Sequence, residues 1–316
     1  MLAAILDWIV GDPWHWYHPV QAIALWINGF TRHVLDKGYS STVERLAGVA
    51  LGLSTIAGSA LVTWLVIQAA HHVHPLFGFV VEAIALASCF AGRSLRDAAW
   101  DVLNNLKKSG LEGGRSRLKL YVGRDTANLN EAEVLRATLE TVAENAVDGV
   151  LAPLFWAILG AMTLGRFPGA IAAITMAYKA ASTLDSTVGY RRSPYTDIGW
   201  FSAQLEDRLT WIPCRLSVMT LAILSGKPRR VWAIASQDGP QDPSPNSGWS
   251  EAAYAGALGV QLGGENYYQG QKKFKPLLGT AENPITVSTI KNALRFTRNA
   301  FLSWLLLAVV STILIL

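Results

Sequence analysis

The chain has 316 residues, of which 51% are hydrophobic and only 16% charged, with 12 tryptophans and a net charge of +4. Soluble chains carry about a quarter charged residues, so this composition excludes a disordered chain and a disulfide scaffold and argues against an ordinary soluble enzyme. It suits helices in a bilayer, and the information lies in where the few charges fall.

In chain order, residues 1–10 lack the basic start and small-residue cleavage site of a signal peptide. Residues 15–30 are amphipathic. Residues 46–70 form an uncharged run of 25, enough to span a hydrocarbon core of about 30 Å. His71, His72 and His74 follow beside Pro75 and read as interfacial, not as metal ligands. Residues 76–90 are apolar except Glu82. Residues 93–108 look helical and end at Ser109-Gly110; Gly113-Gly114 opens a loop, and residues 118–122 suit a short strand or extended loop. Residues 130–146 are strong helix formers, with Asn130 as N-cap and Glu133 completing a capping box. Apolar runs follow at 150–164, 167–178, 211–224 and 301–316. These shorter runs suit short spans, re-entrant halves or buried core helices. Between the last two, residues 239–248 (GPQDPSPNSG) read as a loop, 249–260 as a helix and 263–270 as a turn.

The expected fold is therefore an all-α integral membrane protein: one domain over residues 1–316, a multi-helix bundle with long polar loops and short or re-entrant helices. Residues 225–300 hold nine basic and five acidic residues, which by the positive-inside rule places that segment in the cytoplasm. Cys89 and Cys214 lie in apolar runs and read as small core residues.

The charges recur where apolar runs meet polar segments. Glu140, Glu144 and Asp148 are spaced i, i+4, i+8, which on an α-helix puts them on one face with a drift of about 40° per step. Like charges so placed repel; a cation such as Mg²⁺ reverses that sign, and the position beside an apolar run favours this over a merely solvated face. Lys179 shares a face with Ser182 and Thr183, close to Asp185 and the pair Arg191-Arg192. That set suits either phosphate binding or a snorkelling lysine. Glu206-Asp207 precede an apolar run containing Arg215. A charge at that depth wants a partner, and Asp207 or Glu206 is the expected one. Arg93, Arg96 and Arg124-Asp125 can hold phosphate or carboxylate, although surface ion pairs are commoner. The Gly- and Asn-rich turns of PSPNSGW and LGGENYYQG can offer backbone N–H groups to an anion. There is no GxxxxGK[ST] phosphate loop, and the basic residues do not cluster with aromatics as nucleic-acid binding requires. The pattern suits a metal-assisted reaction on a phosphate-bearing or nucleotide substrate at the membrane surface. A metal-dependent phosphotransferase and a non-catalytic binding or transport protein are the alternatives. The DGxxAR arrangement of the former is not met, because Pro153 stands where it needs Arg.

Seven motifs carry a resemblance: GDPWHWYHPV, AGRSL, VGRDT, ETVAENAVDGVLAPLFW, YKAASTLDSTVGY, LEDRLTWIPCRL and DPSPNSGWSEAAYAGALGVQLGGENYYQG. In this order the chain resembles the adenosylcobinamide-phosphate synthase family of cobalamin biosynthesis over nearly its whole length. The departures are Ser182, Thr187, Glu206, Thr210 and Cys214, where the family usually has Asn, Met, Asp, Asn and Ala. The resemblance implies a multi-pass enzyme of the cell (inner) membrane with its site facing the cytoplasm. It implies ATP-consuming amide formation between adenosylcobyric acid and aminopropanol or its O-phosphate. Other membrane enzymes of the pathway are possible partners. On this reading Glu140, Glu144, Asp148, Asp185 and Asp207 hold Mg²⁺, and the last four also carry the acid–base work. Arg93, Arg124, Lys179 and Arg191 hold phosphates of ATP or of the amine, and Arg215 organises Asp207.

Overall fold

The computed structural model describes residues 1–11, 17–190 and 192–315, with side chains described to residue 311. Part of the GDPWHWYHPV motif and Arg191 lie outside the described residues.

The chain opens with α1 (Leu2–Ile9) and α2 (Pro19–Leu35). His18 caps α2, its Nδ1 accepting from the Val20 amide at 3.2 Å, and Pro19 takes the first helical position, where a missing N–H costs nothing. The 25-residue apolar run becomes the core of α3 (Ser41–Val73). His74 then caps α4 (Pro75–Ala87), its Nδ1 accepting from Leu76 N at 3.1 Å.

The next helix, α5 (Gly92–Leu118), is kinked at Gly110, whose φ of 68° is left-handed. The expected stop at Gly110 is real, but the helix restarts at once. Arg117 Nε and Tyr121 Oη both donate to Asp101 Oδ2, at 2.6 and 2.9 Å, and tie the second part to the first. Residues 118–122 are therefore a helix end and a turn, not a strand. The capping box starts α6 (Glu131–Asn145): Asn130 Oδ1 accepts from Glu133 N at 3.0 Å, and Asn130 N donates to Glu133 Oε2 at 2.7 Å. A π-helical turn (Ala146–Leu151) joins it to α7 (Ala152–Leu164). After these come α8 (Ala170–Val188), α9 (Trp200–Leu224, with Pro213 inside), α10 (Pro228–Asp238) and α11 (Ser247–Leu258). The chain then forms a hairpin, β1 (Gln261–Tyr268) antiparallel to β2 (Gln271–Gly279), and ends in α12 (Val287–Ile315).

Four stretches among the described residues are long and apolar enough to cross a membrane: Ser41–Val73, Pro75–Leu118, Glu131–Leu164 and Val287–Ser311. Their outer faces keep large apolar side chains exposed, such as Leu61, Val62 and Val66 on α3 and Leu302, Leu306 and Val310 on α12. Such contiguous exposure is what lipid covers. Counted without their polar flanks, the runs at 150–164 and 301–316 looked half-length. The flanks are helical and continuous with them, so each belongs to a long helix, whereas residues 76–90 form α4 and break at Phe90-Ala91 before α5. The protein is a helical membrane protein. The hairpin is the one departure from an all-helical chain among the described residues.

Contacts divide the chain into two compact units: Met1–Ala91 with Pro153–Thr210 and Leu307–Leu316, and Gly92–Ala152 with Trp211–Leu306. In the first, α3 packs on α2, α4 and α8 around Ile27, Leu51, Cys89, Met176 and Leu184. Gly48 and Gly52 make room for the turn that leads into α9: a Cβ on Gly48 would lie 2.1 Å from the Ile198 carbonyl oxygen, and one on Gly52 would lie 2.5 Å from the Phe201 ring. In the second unit α11 is the hub. Its alanines are buried on all sides, and their small size lets α6, α10 and the hairpin close in. Cys89 and Cys214 are both buried and form no disulfide.

Candidate active site: a buried acid–base cluster

In the second unit the long acidic motif of α6 meets the hairpin. Glu140 is 1% exposed. Its Oε2 lies 2.5 Å from Arg124 Nη2, and its Oε1 accepts from Arg136 Nη1 at 3.2 Å and Gly263 N at 2.9 Å. Arg136 stands one turn before Glu140 on the same helix, a spacing that brings the two side chains together. Arg124 Nη1 also donates to Asn266 Oδ1 at 2.8 Å, and Arg136 Nη2 to the Glu265 carbonyl at 3.0 Å. A carboxylate buried this deeply is tolerable only when paired and hydrogen-bonded, and here every contact arrives from the VGRDT segment, α6 or the hairpin.

The hairpin is shaped for this. A bulge interrupts its register between Leu262 and Gly264, and Gly263 has φ 84°. That conformation turns the Gly263 N–H toward Glu140 and its carbonyl toward Arg136. A Cβ there would lie 1.9 Å from the Pro276 carbonyl oxygen, so only glycine fits. Asp125 holds the far end of the hairpin: its N–H donates to Tyr267 O at 2.8 Å, and its carboxylate accepts from the amides of Gln269 and Gly270 at 3.2 and 2.7 Å.

A second pair lies beside the first. Lys275 reaches from β2 to Glu251 on α11, Nζ to Oε1 at 2.6 Å, and to Asp242 Oδ2 at 3.6 Å. Ser247 Oγ donates to the same Glu251 Oε1 at 2.9 Å, and Glu251 is 0% exposed. Burial pushes the Glu251 carboxyl up to about 8; Lys275 opposes this, while Glu140 and Glu144 add to it. Burial works against the charged Lys275, but Glu251 and Asp242 outweigh it and hold the ammonium above its ordinary pKa. Asp242 belongs to the Pro-rich loop, where its Oδ1 accepts from Ser244 N at 2.9 Å in an Asx turn.

The residues singled out from sequence fall as follows. Glu140, Glu144 and Asp148 follow one another along α6 and into the π-helical turn, but their surroundings differ. Glu140 is buried, Glu144 is exposed and Asp148 is half-buried inside the π-helical turn. Arg93 pairs with Asp97, Nε to Oδ2 at 3.1 Å. Arg215 donates to Asn246 Oδ1 at 2.9 Å and lies over the Trp211 and Trp249 rings, at 4.9 and 4.4 Å from their centroids. Asn246 and two indoles thus fill the place expected of Asp207 or Glu206. An acid eight or nine residues back on a helix is about 12 Å away along the axis, whereas the Pro-rich loop folds directly over Arg215. Among the described residues no three His, Cys, Asp or Glu side chains gather as a metal site.

In the first unit, Lys179 is half-buried on α8, its carbonyl accepting from Thr183 Oγ1 at 2.7 Å. Asp185, in the last turn of α8, crowds Gly189: a Cβ on Gly189 would lie 2.0 Å from Asp185 Oδ1. Glu206 is buried and accepts from the Thr210 hydroxyl, which is 2.9 Å from Tyr178 Oη. Asp207 beside it is half-buried. Sequence reasoning missed Arg136, Asp242, Glu251 and Lys275. The i, i+4 spacing of Arg136 and Glu140 is a usable signal, and Asp242 and Glu251 sit inside the DPSPNSGWSE motif. Lys275 carries no local signal at all.

The fold and this site define a class: a helical membrane protein whose polar half is organised around buried carboxylate–cation pairs. The chain belongs to the CobD/CbiB family. The profile of that family, described as CobD/Cbib protein, matches residues 1–297. Over 307 residues the chain is 54% identical to the cobalamin biosynthesis protein CobD of Synechocystis sp., covering 96% of this chain and 88% of that one. It is 41% identical over 298 residues to the cobalamin biosynthesis protein CbiB of Salmonella typhimurium, covering 93% and 90%. No solved structure matches.

Proposed function

We propose that this protein acts in cobalamin biosynthesis as an ATP-dependent amide synthase of the inner membrane. It would join a carboxyl group of adenosylcobyric acid to the amine of aminopropanol or its O-phosphate, on the cytoplasmic side where ATP is available. Family membership supports the pathway. The observation that carries the chemistry is the buried cluster of Glu140, Arg124, Arg136, Glu251 and Lys275, with Glu144 and Asp148 following on the same helix in more accessible positions.

A carboxylate and an amine condense only after activation. Conversion of the carboxylate to an acyl phosphate at the expense of ATP supplies a good leaving group, and the amine must then attack as the free base. Mg²⁺ suits the donor set: it needs only one or two carboxylates and takes water and substrate phosphates for the rest. Glu140 has its oxygens engaged by Arg124, Arg136 and Gly263, so the protein's share would fall to Glu144 and Asp148. When bound there, the ion would neutralise charge on the phosphate oxygens. Arg93 in the second unit, and Lys179 and Arg191 in the first, are proposed as phosphate-binding cations. Arg124 is committed to Glu140 and Asn266 and would shape the site. Asp185 and Asp207 are proposed as further acids of the reaction.

The test is incubation of the purified protein with adenosylcobyric acid, aminopropanol O-phosphate, ATP and Mg²⁺. A new corrinoid amide with matching ADP release is expected. Asp148→Asn and Asp185→Asn should each lower turnover at least about 100-fold, the scale of a lost acid–base group. Corrinoid binding without turnover by the wild type would refute the reading, and near-normal turnover by both variants would remove these acids from it.

A further inference from the structure

We propose that Asp242 and Glu251 form a subsite for the primary ammonium group of the amino-alcohol substrate. The ligand class rests on the function proposed above. Glu251 is wholly buried, and its two oxygens are treated differently. Oε1 takes Lys275 and Ser247, whereas Oε2 is buried with no hydrogen-bond partner. Asp242 repeats the pattern. Its Oδ1 is satisfied by Ser244 N, while Oδ2 is buried without a hydrogen bond, the Lys275 ammonium standing off at 3.6 Å. Buried carboxylate oxygens are almost always given donors. Two such oxygens left open around one lysine therefore mark a place for N–H groups that the chain does not supply.

Charge narrows the ligand. Glu140 has its own arginines, whereas Asp242 and Glu251, when both are ionised, share the single Lys275 ammonium, so one positive charge is lacking there. An anion or a neutral alcohol does not correct this. A primary ammonium does, and its three N–H groups can serve both open oxygens. Access is from the Glu144 side. Ser250 Oγ donates to the Ala143 carbonyl at 2.6 Å, which sets the residues next to Glu251 and Glu144 against each other, and Glu144 is exposed. The subsite also suits the chemistry. One proton passes from the bound ammonium to Glu251 Oε2, leaving R–NH₂ ready to attack and a neutral carboxylic acid. The bound ammonium favours the ionised carboxylate, and burial favours the neutral acid that the transfer leaves behind.

The test uses the full chain in detergent with 1-amino-2-propanol alone, followed by titration calorimetry against 1,2-propanediol, which keeps the shape without the ammonium. The amine is expected to bind at least ten-fold more tightly than the diol. Asp242→Asn and Glu251→Gln should each weaken amine binding, and raise the amine KM, by ten-fold or more. Asp242→Asn leaves the Lys275–Glu251 pair in place, so it guards against loss of folding, and the amine–diol comparison needs no variant. Equal affinity for amine and diol overturns the subsite. So does an unchanged amine KM in both variants while amide still forms, and that result leaves the proposed function standing. Amine-selective binding that needs both acids, in a protein forming no amide, keeps the subsite and removes the function.

Discussion

Glu140 shows how a single residue type can be read correctly and assigned wrongly in its surroundings. Three acids in helical register suggest a shared open face, yet the first is buried under two arginines and a backbone amide. Removing one partner of a buried pair strands the other charge, at a cost of about 3–5 kcal/mol. Arg124→Met should therefore lower the unfolding temperature in detergent sharply, tempered by the remaining Arg136. The double variant Arg124→Met, Glu140→Gln should recover part of the loss, because no charge is then left unpaired. A single variant as stable as the wild type would show that the Arg124 pair contributes nothing. Asn130 and Glu133 are the contrasting case. Their capping box is legible in sequence because both partners lie within one helical turn. The Glu140–Gly263 contact joins residues 123 apart and has no such local signature.

At the scale of elements, the hairpin and the π-helical turn are what sequence periodicity misses. The Gly263-Gly264 pair reads as a turn, and a turn is a fair local inference from two glycines. In the fold both instead sit in a strand with positive φ and make its bulge. The bulge aims one N–H at Glu140, which is how such irregularities serve sites. Gly263→Ala brings a methyl group to 1.9 Å from the Pro276 carbonyl and forces the bulge to move. Protease nicking within the hairpin should increase, and amide formation should fall at least about ten-fold, whereas Gly270→Ala, at the open hairpin tip, should disturb Glu140 far less. Equal behaviour of the two variants would show that the bulge does not position Glu140. The π-helical turn is equally invisible in composition, because one extra residue per turn alters phase without altering residue type.

For the whole molecule, the scarcity of charge decides the environment. Half-length apolar runs gain full spanning length once their polar flanks prove helical, which gives four crossing stretches among the described residues. The basic excess of residues 225–300 then predicts orientation. A tag in that segment should be digested in inverted membrane vesicles and protected in right-side-out ones; the reverse result would place the hairpin and its cluster outside the cell. By itself the sequence determined the membrane class, the family, the Asn130–Glu133 cap and the apolar runs. These depend on composition and on interactions within a few residues, which any local window contains. Only the tertiary structure decided which acids are buried and which partners they take. It also showed that Arg215 rests on Asn246 and two indoles, and that Asp242, Glu251 and Lys275 form one cluster. Burial and pairing are set by contacts between segments scores of residues apart, and the energy of a charge depends on that environment far more than on its neighbours in the chain.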